Sequence, residues 1–236
     1  MNLTLITTLW RQRLTSAVRM AVVAVLCGFP LLMVTFMPAM GMTPLGNAQG
    51  IMLALAAGMI GQDVSSGVLQ LLCARPVRRS EYVVSRWLGV ALAGLAISLA
   101  QLAIAGAVLA ARGAPPSPQQ MALFAATRAF ECFGLGAVMA LLSSLIGGFG
   151  DLALYLIASV VGGVLQIAGQ AKHWTWMDRL ASEFQQTLTP TLDLQRLIAA
   201  SPMPWFPIVS YLSAVALALA LAIVVMNRKE LSYASG

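Results

Sequence analysis

The chain has 236 residues, of which 59% are hydrophobic and 9% charged, and its mean hydropathy is +0.85. Soluble domains carry roughly a quarter charged residues, so this composition excludes a solvated globular surface and predicts an all-α integral membrane protein. The net charge of +6 does not point to nucleic acid, because the basic residues gather beside apolar runs and no aromatic-rich basic patch accompanies them.

Residues 1–16 place Leu3, Ile6, Trp10 and Leu14 on one helical stripe with Arg11 and Arg13 off it. Such a segment suits an amphipathic helix lying in the headgroup layer. A spanning helix needs about 20 mainly apolar residues, and six segments approach that: 17–37, 45–62, 82–111, 124–146, 152–168 and 206–226. The first is too long and begins too late for a cleaved signal peptide, so it reads as a retained span. The second is rich in Gly and Ala and is the shortest fit after the fifth.

Between the second and third segments stands "QDVSSGVLQLLCARPVRRSEYVVSRW", residues 62–87, with four of the fourteen basic residues. Val64, Val68, Leu71, Leu72 and Arg75 recur at helical spacing, with Ser65, Ser66, Gln70 and Cys73 off that stripe. A short amphipathic helix is expected over 63–75, capped by Asp63 or Ser65 and ended by Pro76, since the residue before proline is driven out of the helical region. Ser80 is expected to cap the third span, with Glu81 in its first turn.

Further along, Gly89/Ala93 and Ala158/Gly162 have the small-xxx-small spacing that lets helices approach closely. Arg128 and Glu131 are the charges set into an apolar segment, at a spacing that allows them to pair. They suit an outer vestibule or subunit contact, or equally a self-neutralising pair near the outer end of the fourth span. Asp151 follows a Gly-rich turn and is expected to cap the fifth span. Residues 169–205 form the longest outer loop: Trp174, Trp176 and Trp205 suit an interfacial belt. There Leu188, Leu192 and Leu197 beside Asp193 and Arg196 predict a short amphipathic helix, lying at the surface or re-entering it.

Orientation follows from the basic residues. With both termini cytoplasmic, nine lie on inner flanks (Arg11, Arg13, Arg19, Arg75, Arg78, Arg79, Arg86, Arg228, Lys229) and five outside (Arg112, Arg128, Lys172, Arg179, Arg196), as the positive-inside bias requires. Catalytic groups are sparse. The two lysines, Lys172 and Lys229, do not sit in Gly-Lys-Ser/Thr, so there is no P-loop. His173 is the single histidine, and Cys27, Cys73 and Cys132 are widely spaced, so no metal site, disulfide or enzymatic centre is expected.

The 62–87 stretch resembles the cytoplasmic signature of type-2 ABC exporter permeases. Asp63, Gly67, Val68-Leu69, Leu71-Leu72, Pro76-Val77-Arg78-Arg79, Tyr82 and Arg86 occupy the signature positions in order, with Asp63 in place of the usual Glu and Val68 in place of Thr. The resemblance implies a membrane subunit with no cofactor of its own, a coupling helix seated in a cytoplasmic ABC ATPase, and two ATPase copies that bind ATP-Mg. It also implies a second copy of this permease or a homologous one, surrounded by membrane lipid, and location in the bacterial inner membrane. An ATPase-independent transporter or channel, or a non-transporting regulator on the same fold, stands as the alternative.

Overall fold

The computed structural model describes residues 16–65, 78–192, 194–199 and 205–228. Among these residues all regular structure is helical: α1 Ala17–Phe36, short 3-10 turns at Pro38–Met40 and Thr43–Leu45, α2 Gln49–Ala56, α3 Gly61–Ser65, α4 Arg79–Ala111, α5 Pro118–Leu145, α6 Gly150–Ala171, α7 Thr175–Leu188, α8 Leu194–Ala199 and α9 Trp205–Arg228. Five of them, α1, α4, α5, α6 and α9, are long and apolar enough to cross a bilayer. Their outer faces are apolar too: Phe206, Phe36 and Val18 are 82%, 77% and 76% exposed, as lipid-facing side chains would be. This is the make-up of a multi-pass membrane protein. The expected interfacial helix over 1–16 lies outside the described residues, as does most of the expected helix over 63–75.

Helices α4 and α5 form the centre, packed on each other, with α1, α6 and α9 around them. Small residues permit this. Gly94 lies against the Met52 side chain, and Gly136 lies against Trp87 and Met52. Trp87 also donates its indole N–H to the Phe133 carbonyl at 3.0 Å, tying α4 to α5. The start of α5 is built as a capping box: Ser117 accepts the Gln120 N–H, Gln120 reaches back to the Ser117 N–H, and Pro118 occupies the first helical position. In α1, Pro30 interrupts the ladder, and within the adjoining turn the Cys27 carbonyl accepts from Gln101 of α4 at 3.2 Å. Ser80 is not the cap of α4; that position is Arg78, with no side-chain cap bond.

Residues 45–62, expected as one continuous span, are not one helix. Helix α2 has only 8 residues, and the chain leaves helical geometry at Ala57 (φ −51°, ψ 123°) and Gly58 (φ +65°) before α3 begins. A span of about 30 Å needs about 20 helical residues, so α2 alone cannot cross. The segment nonetheless runs beside α5 from Arg128, which bonds Gly46, to Ser143, which bonds Gly61, a rise of about 22 Å along that helix. It is the innermost part of the molecule, with Met52, Ala56, Met59 and Ile60 fully buried.

The chain after α6 folds back on it as a hairpin. The chain reverses at His173, whose φ is +54°, and α7 returns antiparallel along α6. Two glycines record the register: a Cβ on Gly169 would lie 2.9 Å from the Asp178 nitrogen, and one on Gly162 would lie 3.1 Å from Gln185 Cγ. The Ala158/Gly162 spacing therefore serves the close approach of α7. Beyond α7, Pro190 reaches α5, where a Cβ on Gly134 would sit 2.4 Å from the Pro190 carbonyl. Leu192 and Leu197 then bury against Tyr211 of α9. Trp174 and Trp176 stack at 6.2 Å at the hairpin's outer end, with Lys172 over the Trp174 ring.

Gly134→Ala is expected to displace the Pro190 backbone from α5 and to destabilise the fold by about 1–3 kcal/mol, the usual scale of overpacking. Gly163→Ala, where a Cβ meets nothing within 4 Å, is the neutral control. Thermal unfolding in detergent micelles measures both.

Candidate functional site

The residues with functional potential converge on the broken segment, which polar side chains hold at three levels. At its N-terminal end, Arg128 of α5 is 3% exposed and donates from Nη2 to the carbonyls of Leu45 (3.0 Å) and Gly46 (2.6 Å). Its Nη1 lies 3.7 Å from Glu131 Oε2, and that same oxygen accepts the Ala48 N–H at 2.7 Å. Ala48 immediately precedes α2, so Glu131 places a carboxylate at the positive end of that helix. The structure therefore turns Arg128 and Glu131 inward onto the 45–48 turn.

The second level is the break. Ending α2 and starting α3 inside an apolar bundle leaves backbone N–H groups without helical partners, and lipid offers them none. Asp151 of α6, completely buried, accepts the Gly58 N–H at 3.1 and 2.8 Å through its two oxygens and its own Leu152 N–H at 2.7 Å. Ser143 of α5 accepts both the Ile60 and Gly61 N–H groups at 2.9 Å. From α1, Arg19 donates to the Ala57 carbonyl at 3.3 Å and to Gln62 at 2.6 Å, with its guanidinium 5.9 Å from the Phe149 ring centroid. Gly61 is hemmed in by backbone, since a Cβ there would stand 2.7 Å from the carbonyls of both Ile146 and Gly148. Expected only as a cap for the fifth span, Asp151 is instead a bridge between α6 and the break.

The third level is the foot. Asp63, in α3, forms a buried ion pair with Arg86 of α4 and accepts the Tyr82 hydroxyl at 2.5 Å. Arg86 Nε also donates to the Tyr82 oxygen at 3.2 Å, across one turn of α4. Asp63, Tyr82 and Arg86 are 4%, 5% and 3% exposed, so this triad is interior and not a docking surface. Arg79 donates to the carbonyls of Met226 (2.8 Å) and Asn227 (3.1 Å), fastening α4 to the C-terminal end of α9, where a cation complements the helix dipole. Arg78 is exposed. Gly67, Val68, Leu71, Leu72 and Pro76 lie outside the described residues.

The signature residues Asp63, Tyr82 and Arg86 are thus brought into one cluster. Sequence reasoning did not find Ser143, Arg19 or Gln62 as members of this system. The pairing of Gln49 with the fully buried Tyr155 hydroxyl at 2.8 Å was also missed. The available signal was the run of Gly58 and Gly61 within an apolar stretch, which marks a break but not its partners. No protein-family model, curated protein or solved structure matches this chain.

Two tests follow from these contacts. Arg86→Met, which leaves Asp63 charged and buried, is expected to destabilise by about 3–5 kcal/mol, and adding Asp63→Leu to recover most of that loss. A double-mutant cycle by detergent-phase unfolding reads both. Ser143→Ala strips two buried N–H groups of their acceptor and is expected to cost about 1–3 kcal/mol for each, with faster amide exchange at Ile60 and Gly61 as its local signature.

Proposed function

We propose that this chain is the membrane permease subunit of an ATP-driven exporter of the type-2 ABC class, with six crossings, the second made by the broken α2–α3 segment. The energy comes from a separate cytoplasmic ATPase that binds ATP-Mg. Two ATPase copies and two permease copies, identical or homologous, make the working unit in a bacterial inner membrane, with both permease termini cytoplasmic.

The observation that carries this reading is the buried cluster of Asp63 with Tyr82 and Arg86. These residues stand on either side of segment 66–77, so both ends of that segment are tied to one buried cluster. A partner pushing on it would load α3 and α4 together, and α4 carries α9 with it through Arg79. The helix expected from the sequence over 63–75, with Leu71 and Leu72 on its apolar stripe, is then the part the ATPase grips. The lack of a P-loop agrees with a partner supplying hydrolysis.

A second reading, transport driven by an ion gradient, draws on one observation: a discontinuous helix beside a fully buried carboxylate, Asp151, is a feature of secondary transporters. Its weakness is that the Asp151 carboxylate is already engaged, by the Gly58 and Leu152 N–H groups and by the charge of the nearby Arg19, in holding the break closed.

Purification from native membranes under mild detergent is expected to bring an ATPase chain with the permease, and vesicles containing both to move cargo only with ATP. Leu71→Ala/Leu72→Ala is expected to reduce ATP-dependent export to background while the protein still inserts. Unimpaired export by that double variant rejects the coupling role. Gradient-driven movement without any ATPase, abolished by Asp151→Asn, selects the second reading.

A further inference from the structure

Helix α7 starts at the outer turn but ends deep in the bundle, and two independent rulers measure how deep. Along α6, the register of Asp178 on Gly169 and Gln185 on Gly162 places Glu183 level with about residue 164 and Gln186 with about residue 161. Counting down from Ala171, these levels are about 10 and 15 Å below the outer end of α6. Along α5, Pro190 touches Gly134, about 16 Å above the inner end of that helix at Leu145. Both rulers bring the lower half of α7 close to the middle of a hydrocarbon layer about 30 Å thick.

The face that α7 turns away from the bundle is not uniformly apolar. Ala181 is buried toward α6, whereas Arg179, Glu183 and Gln186, spaced i, i+4, i+7, are exposed along one strip. Beside that strip runs a second one of Trp176, Leu180 and Phe184, exposed to 62%, 54% and 39%. The apolar strip suits lipid. The polar strip does not, because charged and amide side chains at that depth face water or a protein partner.

We infer that the Arg179–Glu183–Gln186 strip lines an aqueous recess that opens on the outer side and reaches about half-way through the membrane. The inference rests on the α6–α7 geometry and on the proposed orientation with cytoplasmic termini, and stands whether or not an ATPase drives the protein. Within the recess Glu183 is the deepest charged group on α7, and the neighbouring apolar strip marks where water gives way to lipid.

Cysteine accessibility tests this. Arg179→Cys, Glu183→Cys, Gln186→Cys and, on the lipid-facing side of α6, Val160→Cys are expressed singly in the full chain. Intact cells are treated with a membrane-impermeant maleimide, and added label is counted against the parent, whose own cysteines set the background. Labelling after denaturation in detergent must be equal for all four, which removes any variant that fails to accumulate. Because thiol reactivity needs the thiolate and access to water, Glu183→Cys and Gln186→Cys are expected to label within about tenfold of the shallow Arg179→Cys, and Val160→Cys at least about 100-fold more slowly. The same reagent added outside sealed inside-out vesicles, where only the cytoplasmic face is exposed, is expected to leave all four unlabelled. Slow labelling of Glu183→Cys and Gln186→Cys, matching Val160→Cys while Arg179→Cys reacts, overturns the recess and means that lipid or a second copy of the chain covers the strip.

Discussion

The interior of this bundle is organised by one constraint: a helix broken inside lipid must have its freed backbone groups satisfied by protein. Three N–H groups at the break, those of Gly58, Ile60 and Gly61, are met by the Asp151 carboxylate and the Ser143 hydroxyl. Arg19 meets the carbonyl side at Ala57. The donors and acceptors come from α1, α5 and α6, so three spanning helices are positioned by the same five-residue region. Glycine is required at two of its positions. Gly58 adopts a φ of +65°, and Gly61 has backbone carbonyls where a side chain would stand.

The two ends of the broken segment are held differently. At the N-terminal end Arg128 and Glu131 grip backbone atoms of residues 45–48, a connection that side-chain rotation in the segment cannot release. At the foot the contact is between side chains, Asp63 with Arg86 and Tyr82. Such a buried pair contributes little net stability compared with a well-packed apolar replacement, yet is costly to open on one side only. It therefore behaves as an all-or-none fastening. The fastening ties α3 to α4, while at residues 57–61 the helical ladder is absent.

Length and hydropathy made the five long helices legible, with ends within a few residues except where polar caps extend them: α5 starts at Pro118, six residues before the apolar run expected at 124, because Ser117 and Gln120 form a capping box. The 45–62 segment was not legible as broken. Apolarity measures only whether residues tolerate lipid, and Gly58 and Gly61 read equally well as small residues for helix packing. Helices were legible between the fifth and sixth spans, but not as the single one expected on Leu188, Leu192 and Leu197. Leu188 ends α7, Leu192 lies outside any helix and Leu197 is in α8. The depth of α7 was not legible either. That depends on which α6 residues the glycines at 162 and 169 bring against α7, a tertiary fact without a local signature. In the 62–87 stretch the order of Asp63, Tyr82 and Arg86 was visible, whereas their burial as a triad depends on α3 folding back onto α4.

The distribution of acidic side chains shows how much polar chemistry the broken segment draws on. The chain has eight Asp and Glu residues. Three of them fasten this one segment: Glu131 binds Ala48, Asp151 binds Gly58, and Asp63 binds Arg86 and Tyr82. A continuous apolar helix would satisfy its own backbone and need none of these groups, and buried carboxylates are expensive to place in a membrane bundle. The arrangement keeps this segment broken, held through backbone atoms at its N-terminal end and through side chains at Asp63, a set of contacts that an uninterrupted apolar helix would not call for.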